Sequence, residues 1–164
     1  MSGKTDDDLT QALVALIGEV PWPRVTVAAL CRRARVHRAT FYTHFEDRDD
    51  LLVRSLPRLF DSLAAEAGPG ATLRAHLERV FVHCAGHRAF YRAALTPGHP
   101  ARNVLENYLI VHARTEAARP QSELAARAGA SALLAAVEWF AADPGLTEAE
   151  AADQLDRLVS QGWS

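Results

Sequence analysis

Residues 38–52, RATFYTHFEDRDDLL, interleave Arg38, Thr40, Tyr42, Thr43 and His44 with the rings of Phe41 and Phe45 before turning acidic. The polar types are those that read duplex DNA. An Arg guanidinium offers two parallel hydrogen bonds to guanine O6 and N7, and Thr offers a hydroxyl or a methyl to thymine. Tyr42, His44 and Arg48 suit phosphate oxygens, as does Thr26 where it opens a helix whose first N–H groups are unpaired. Ala39 keeps the surface low enough for close approach. On a wheel advancing ~100° per residue, Phe41 and Phe45 fall together. Ala39, Thr40, Thr43 and His44 fall on the opposite arc, Tyr42 lies at the border, and Arg38 stands at the helix start. The pattern predicts a short helix pinned by two rings, with its far face offered to a nucleic acid. A plain solvated face is the alternative, and for Arg32 and Arg33 it stands level with the DNA reading.

Charge supports that division. The whole chain carries a formal −2, yet the stretch from Arg24 to Phe45 holds five Arg and no acid. The rest has thirteen bases against twenty acids, so a +5 segment sits on a −7 body. A chain of 164 residues has room for a small reading module and one further helical domain.

Other reactive types are sparse. HCAGH, residues 83–87, places His83 and His87 four apart with Cys84 between, a spacing able to ligate zinc. Gly86 is expected to end that helix and no further ligand set is visible, so a structural or surface role is expected and no metal or cofactor is assigned. No oriented nucleophile–base pair points to an enzyme. Cys31 and Cys84 lie too far apart in helix-patterned sequence for a disulfide scaffold, which fits a reducing compartment. The acidic N-terminus lacks the character of a secretory signal. The uncharged run 128–137 is half the length of a membrane helix. A soluble cytoplasmic protein is expected.

Helical periodicity runs almost throughout. Leu9, Leu13, Leu16, Ile17 and Val20 share one face of a first helix that Thr5 or Asp6 could cap and that Pro21 and Pro23 end. Thr26 opens a second helix with Val27, Leu30, Cys31 and Ala34 as its stripe. Residues 35–37 break it from a third, about 38–45. Asp47 caps a fourth, extending toward Ala67 with Leu51, Leu52, Leu56, Leu59, Phe60 and Leu63 apolar. Pro57 should bend that helix, and a wrapping bend is preferred over a hinge. Gly68-Pro69-Gly70 is the clearest break. Five more helices are predicted near 71–85, 87–95, 100–118, 121–142 and 147–161. The fold class is all-α: a three-helix helix-turn-helix domain at 1–46, then a helical domain at 47–164.

TVAALCRRARVHRATFYTHFEDRDDLL resembles the DNA-binding domain of TetR-family transcriptional regulators over roughly residues 5–55. The resemblance places Thr26, Arg38, Ala39, Thr40, Tyr42, Thr43, His44 and Arg48 at positions the family uses against DNA. Three positions depart from its pattern. The family often has Gly at 35 and 39 and a small polar cap at 37, where this chain has Arg35, Ala39 and His37. Arg35 fits poorly in a left-handed turn, so either the turn is built differently or Arg35 compensates by meeting phosphate. Arg48 keeps the charge of the usual Lys.

The resemblance further implies that the second domain dimerises and usually holds a small molecule. Residues 125–136, AARAGASALLAA, contain nine Ala, Gly or Ser and would let a partner helix approach closely. Leu133, Leu134, Val137 and Trp139, with Ala151, Leu155, Leu158 and Val159, would add apolar area to a four-helix interface across a two-fold axis. Packing within the monomer is the alternative. Phe81, Phe90, Tyr91, Tyr108, His112 and Trp139 are candidates for an apolar effector pocket, though aromatics at this spacing also make ordinary core. The expected function is a ligand-responsive repressor acting as a homodimer on a palindromic double-stranded DNA operator. A TetR-like co-regulator working by protein interaction without DNA is the alternative.

Overall fold

The computed structural model describes residues 3–60, 74–111 and 123–160 in full, and the backbone alone of 2, 61–65, 73 and 112–116. The Gly68-Pro69-Gly70 break, the far end of the fourth helix at Ala67, the side chain of Leu63 and the expected helix ends at 71, 118, 121 and 161 lie outside the described residues.

All regular structure among the described residues is helical. Helix α1 spans Ser2–Glu19 and buries Leu9, Leu13 and Ile17 as one stripe. It starts earlier than expected. Asp6 is not its cap but an interior residue with 7% exposure, because its carboxylate has partners on two other helices. A 3-10 turn, Trp22–Arg24, follows Pro21 and contains Pro23. Helix α2, Val27–Ala34, is capped by Thr26, whose Oγ1 accepts the Ala29 N–H at 3.2 Å. Helix α3 is Arg38–His44. Helix α4, Arg48–Ala65, runs through Pro57, and Asp47 caps it by accepting the Asp50 N–H at 2.8 Å.

The α2–α3 turn is tight despite Arg35. That residue adopts φ 56°, ψ 37°, and the N–H groups of Arg35 and Val36 both reach the Cys31 carbonyl. Arg35 is the one non-glycine residue with positive φ among those described. A side chain there costs about 1 kcal/mol that glycine would avoid.

Helix α4 joins the first three helices to the rest. The Thr10 and Ser55 hydroxyls meet at 3.0 Å in the core, and Ser55 also donates to the Leu51 carbonyl. Beyond it come α5 (Leu73–Gly86), α6 (Arg88–Ala94), α7 (Ala101–Glu116), α8 (Glu123–Ala142) and α9 (Glu148–Ser160), close to the predicted spans. Helix α9 packs along α5 and α8, and α7 along α8 and α4. Helix α8 is long and apolar enough to cross a membrane by length and composition alone. Much of that apolarity is alanine, and its Ala126, Ala130, Leu134, Val137, Phe140 and Ala141 face the protein core.

One feature of this core is polar. His83 and Tyr91 meet through Nε2 and the hydroxyl at 3.1 Å, beside Phe60 and His87. Burial, aided by the neighbouring His87, pushes the His83 imidazole down to about 4. His87 is lowered in the same direction by burial. Cys84 is buried and its thiol is pushed up to about 12, so it is inert. Among the described residues no group of His, Cys, Asp and Glu is arranged to hold a metal ion.

Two measurements test this packing. Phe41→Ala removes a ring with no exposed surface and is expected to cost ~3–5 kcal/mol in urea unfolding. For His83 the folded value lies below the ordinary 6.5, so its contribution is fully present above about pH 6.5 and fades as pH falls toward 4. Urea midpoints measured from pH 7.5 down to about 4.5 should therefore decline, and His83→Phe should flatten that decline. An equal decline in both proteins would contradict the assignment.

Candidate nucleic-acid interface

Helix α3 separates its faces as the wheel predicts, except at His44. Phe41 is fully buried and Phe45, its C-terminal flank, is 3% exposed, with ring centroids 5.7 Å apart. Arg38, Ala39, Tyr42 and Thr43 are exposed, and Thr40 is half-buried. Tyr42 sits edge-on to Phe41 at 5.4 Å while its hydroxyl reaches outward to accept from Arg38 Nη2 at 3.4 Å. The Thr43 hydroxyl donates to the Thr40 carbonyl at 2.7 Å. Thr26 is exposed at the start of α2, where helix N–H groups remain open to an anion.

Two expected phosphate contacts are engaged inside the domain instead. His44 Nδ1 lies 2.6 Å from Asp6 Oδ1, and only 18% of its side chain is exposed. Arg48 donates through Nη1 to the carbonyls of Trp22, Pro23 and Val25 and stacks 4.6 Å over the Trp22 ring. Arg48 therefore holds the segment leading into α2. These partners lie 23 to 38 residues away in sequence, where no periodicity points to them. Further cations lie on the outside. Lys4, Arg24, Arg32 and Arg35 are exposed and have no carboxylate partner among the described residues, whereas Arg33 pairs with Glu19 at 2.6 Å. Arg32 and Arg35 are weighed against DNA from the sequence; Lys4 and Arg24 are not, although Arg24 lies in the acid-free run.

The second-domain candidates divide. Tyr91 and Tyr108 gather around Phe60, at 5.7 and 5.6 Å between centroids, with His83 alongside. Phe81 packs against Phe140 at 5.2 Å, and Phe90 against Tyr91 at 5.9 Å. Trp139 is 47% exposed and does not join them, because the adjacent Phe140 takes the inward position on α8. The side chain of His112 lies outside the described residues. The expected interface stripe is likewise divided. Leu134, Val137, Ala151 and Leu155 are buried within the chain, while Leu124, Trp139, Leu158 and Val159 face outward.

Residues 9–54 match the family described as bacterial regulatory proteins, tetR family. No curated protein sequence matches the chain. Among solved structures, the dihydroxyacetone kinase operon activator DhaS is similar with a TM-score of 0.67 at 18% identity, over 96% of this chain and 95% of that one. The TetR family repressor AlkX from Dietzia sp. strain DQ12-45-1b is similar at 0.65 and 19%, over 94% and 92%. RolR, solved with resorcinol, is similar at 0.56 and 21%, over 96% and 95%. Residues 9–54 thus match the tetR family of bacterial regulatory proteins, and the chain as a whole is similar in its all-α fold to these solved structures.

Proposed function

We propose that the protein is a sequence-specific DNA-binding transcriptional regulator that represses as a homodimer on a palindromic operator and responds to a small molecule. The observation that carries this reading is the division of α3, with Phe41 and Phe45 sealed inward and Arg38, Ala39, Tyr42 and Thr43 presented outward. Residues 1–46 would read DNA, with the first turns of α4 tied to them, and 47–164 would dimerise and hold the effector. Because such a reader meets DNA in the bacterial cytoplasm, the two free cysteines fit its setting. Repression is the sense we propose, although the similar proteins include an activator as well as a repressor.

The outward stripe Leu124, Ala128, Ala135 and Trp139 on α8, with Leu158 and Val159 on α9, would form the two-fold contact. Two copies are what a helix-turn-helix reader needs to meet half-sites ~34–36 Å apart. The effector would lie near Phe60, Tyr91 and Tyr108; the buried atoms Arg79 Nη2 and His87 Nδ1, the latter on the ring beside His83, have no hydrogen-bond partner among the described residues. Such orphaned donors and acceptors are costly unless a bound group meets them.

Three variants test the reading against DNA enriched from random sequences. Arg38→Ala is expected to lose ~1–3 kcal/mol and relax preference at one base position. Arg48→Ala should weaken all sequences about equally, because it loosens the segment before α2 rather than a base contact; a base-selective loss would contradict its placement. Trp139→Glu should convert a dimer to a monomer in sedimentation equilibrium and remove two-fold symmetry from the enriched sequence. A wild-type protein that enriches nothing would defeat the DNA reading.

A further inference from the structure

We infer that the cleft between the first turns of α1 and the turn before α3 is a phosphate site, in which Arg35 and Lys4 grip the backbone of the duplex beside the groove that α3 enters. The inference rests on the DNA-binding reading and adds residues which that reading does not use.

Arg35 supplies the first observation. Its backbone occupies φ 56°, ψ 37°, a conformation glycine adopts freely and a long side chain resists. A strained position kept by a bulky residue marks a use for its side chain. Inside the fold that guanidinium has no use: it is exposed and without a partner among the described residues. It shares that state with Arg24 and Arg32, whereas Arg33 holds Glu19, Arg48 holds three carbonyls, Arg54 holds the His44 carbonyl and Arg58 holds Asp6 and Asp7.

The second observation is concavity. Arg35 lines a cleft of about 540 Å³ with Lys4, Asp8, Gln11, Arg33 and Val36. Arg33 is balanced by Glu19, so the open charges are Lys4 and Arg35 against the single carboxylate of Asp8. The Gln11 amide adds a neutral donor. An anion seated there meets donors from two separate elements, which a flat cationic surface does not provide.

The third is continuity. Arg35 stands three residues before Arg38, in the turn that feeds the outward face of α3. When the first residues of a recognition helix reach base edges, the preceding turn stands beside the bordering strand. A guanidinium takes two oxygens of a phosphodiester at once, and an ammonium takes one as a point charge. Free phosphate shares that chemistry. The shared surface with Arg38 favours the duplex.

The test uses the full chain, the duplex enriched by the wild-type protein and a scrambled duplex, titrated from about 50 to about 200 mM salt. Arg35→Gly and Lys4→Gln should each flatten the dependence of log affinity on log salt by ~0.9, leaving base preference unchanged. Across that fourfold salt range the deficit against wild type then shrinks about 3.5-fold. Arg35→Gly also relieves the left-handed turn, so its Tm should rise by roughly 2–4 °C. A more stable protein that binds DNA less well separates a lost contact from a damaged fold. Wild-type slopes in both variants, with Arg38→Ala still relaxing base preference, would overturn the site and leave the regulator standing. The site would also be overturned if inorganic phosphate at fixed ionic strength protected wild type but not Arg35→Gly from melting while the DNA slopes stayed equal. A wild-type protein that binds no duplex at any salt would overturn the regulator and the site together.

Discussion

Helix α3 has seven residues, and a helix that short does not hold together in water by its own hydrogen bonds. Nothing at its start compensates, since His37 occupies the N-cap position without a side-chain hydrogen bond. Its existence is therefore conditional on contacts made elsewhere. Phe41 and Phe45 supply most of them by burial, and the guanidinium of Arg54 closes over the Phe45 ring at 4.7 Å. Every exposed group on α3 inherits its position from that anchorage. The same dependence explains the mixed composition, because a helix this small cannot give separate stretches of chain to anchoring and to recognition.

The anchorage also makes the position of α3 a property of α4. Arg54 donates to the His44 carbonyl at the end of α3, and Arg58, one residue past Pro57, reaches Asp6 and Asp7 on α1. Asp6 in turn holds His44, so one buried carboxylate ties α3 to both of its supports. From the other side, His99 in the loop before α7 lies 3.3 Å from Asp49 in the first turn of α4. Its Nδ1 accepts the Ala101 N–H, which leaves Nε2 carrying the proton that Asp49 accepts. Helix α4 is thus held near its start by the loop before α7 and further along by α3 and α1. A displacement of α4 would have to break or carry along the Arg54–His44 carbonyl and Arg58–Asp6 contacts.

Sequence periodicity made α3 legible because both its faces are set by residues within one turn of each other. The helix spans beyond residue 73 were legible for the same reason, as was the cap at Asp47. What could not be read were contacts between residues far apart. His44 and Arg48 have side chains suited to phosphate, yet Asp6 and three carbonyls claim them, and only the folded chain brings these together. Asp6 looked like a helix cap because acids favour first turns; its distant cations let the helix continue past it. Trp139 and Phe140 were indistinguishable as apolar neighbours until the rotation of α8 chose Phe140 for the core. Arg35 failed in the opposite direction. The local rule against side chains in left-handed turns was sound, and the turn formed as usual with the cost retained.

The charge pattern acquires its meaning from this geometry. A net charge of −2 would repel DNA weakly if it were spread evenly. It is not spread evenly, and at physiological salt an exposed charge is felt over only ~8 Å. Residues 66–164 carry nine bases against eleven acids, so most of the −7 lies within the first 65 residues, where Arg58 holds Asp6 and Asp7 and His44 holds Asp6. A duplex lying against α3 would meet the exposed Arg24, Arg32, Arg35 and Arg38 at short range. Arg48, Arg54 and Arg58 are paired internally, so these cations brace the helix, while Arg24, Arg32 and Arg35 stay exposed.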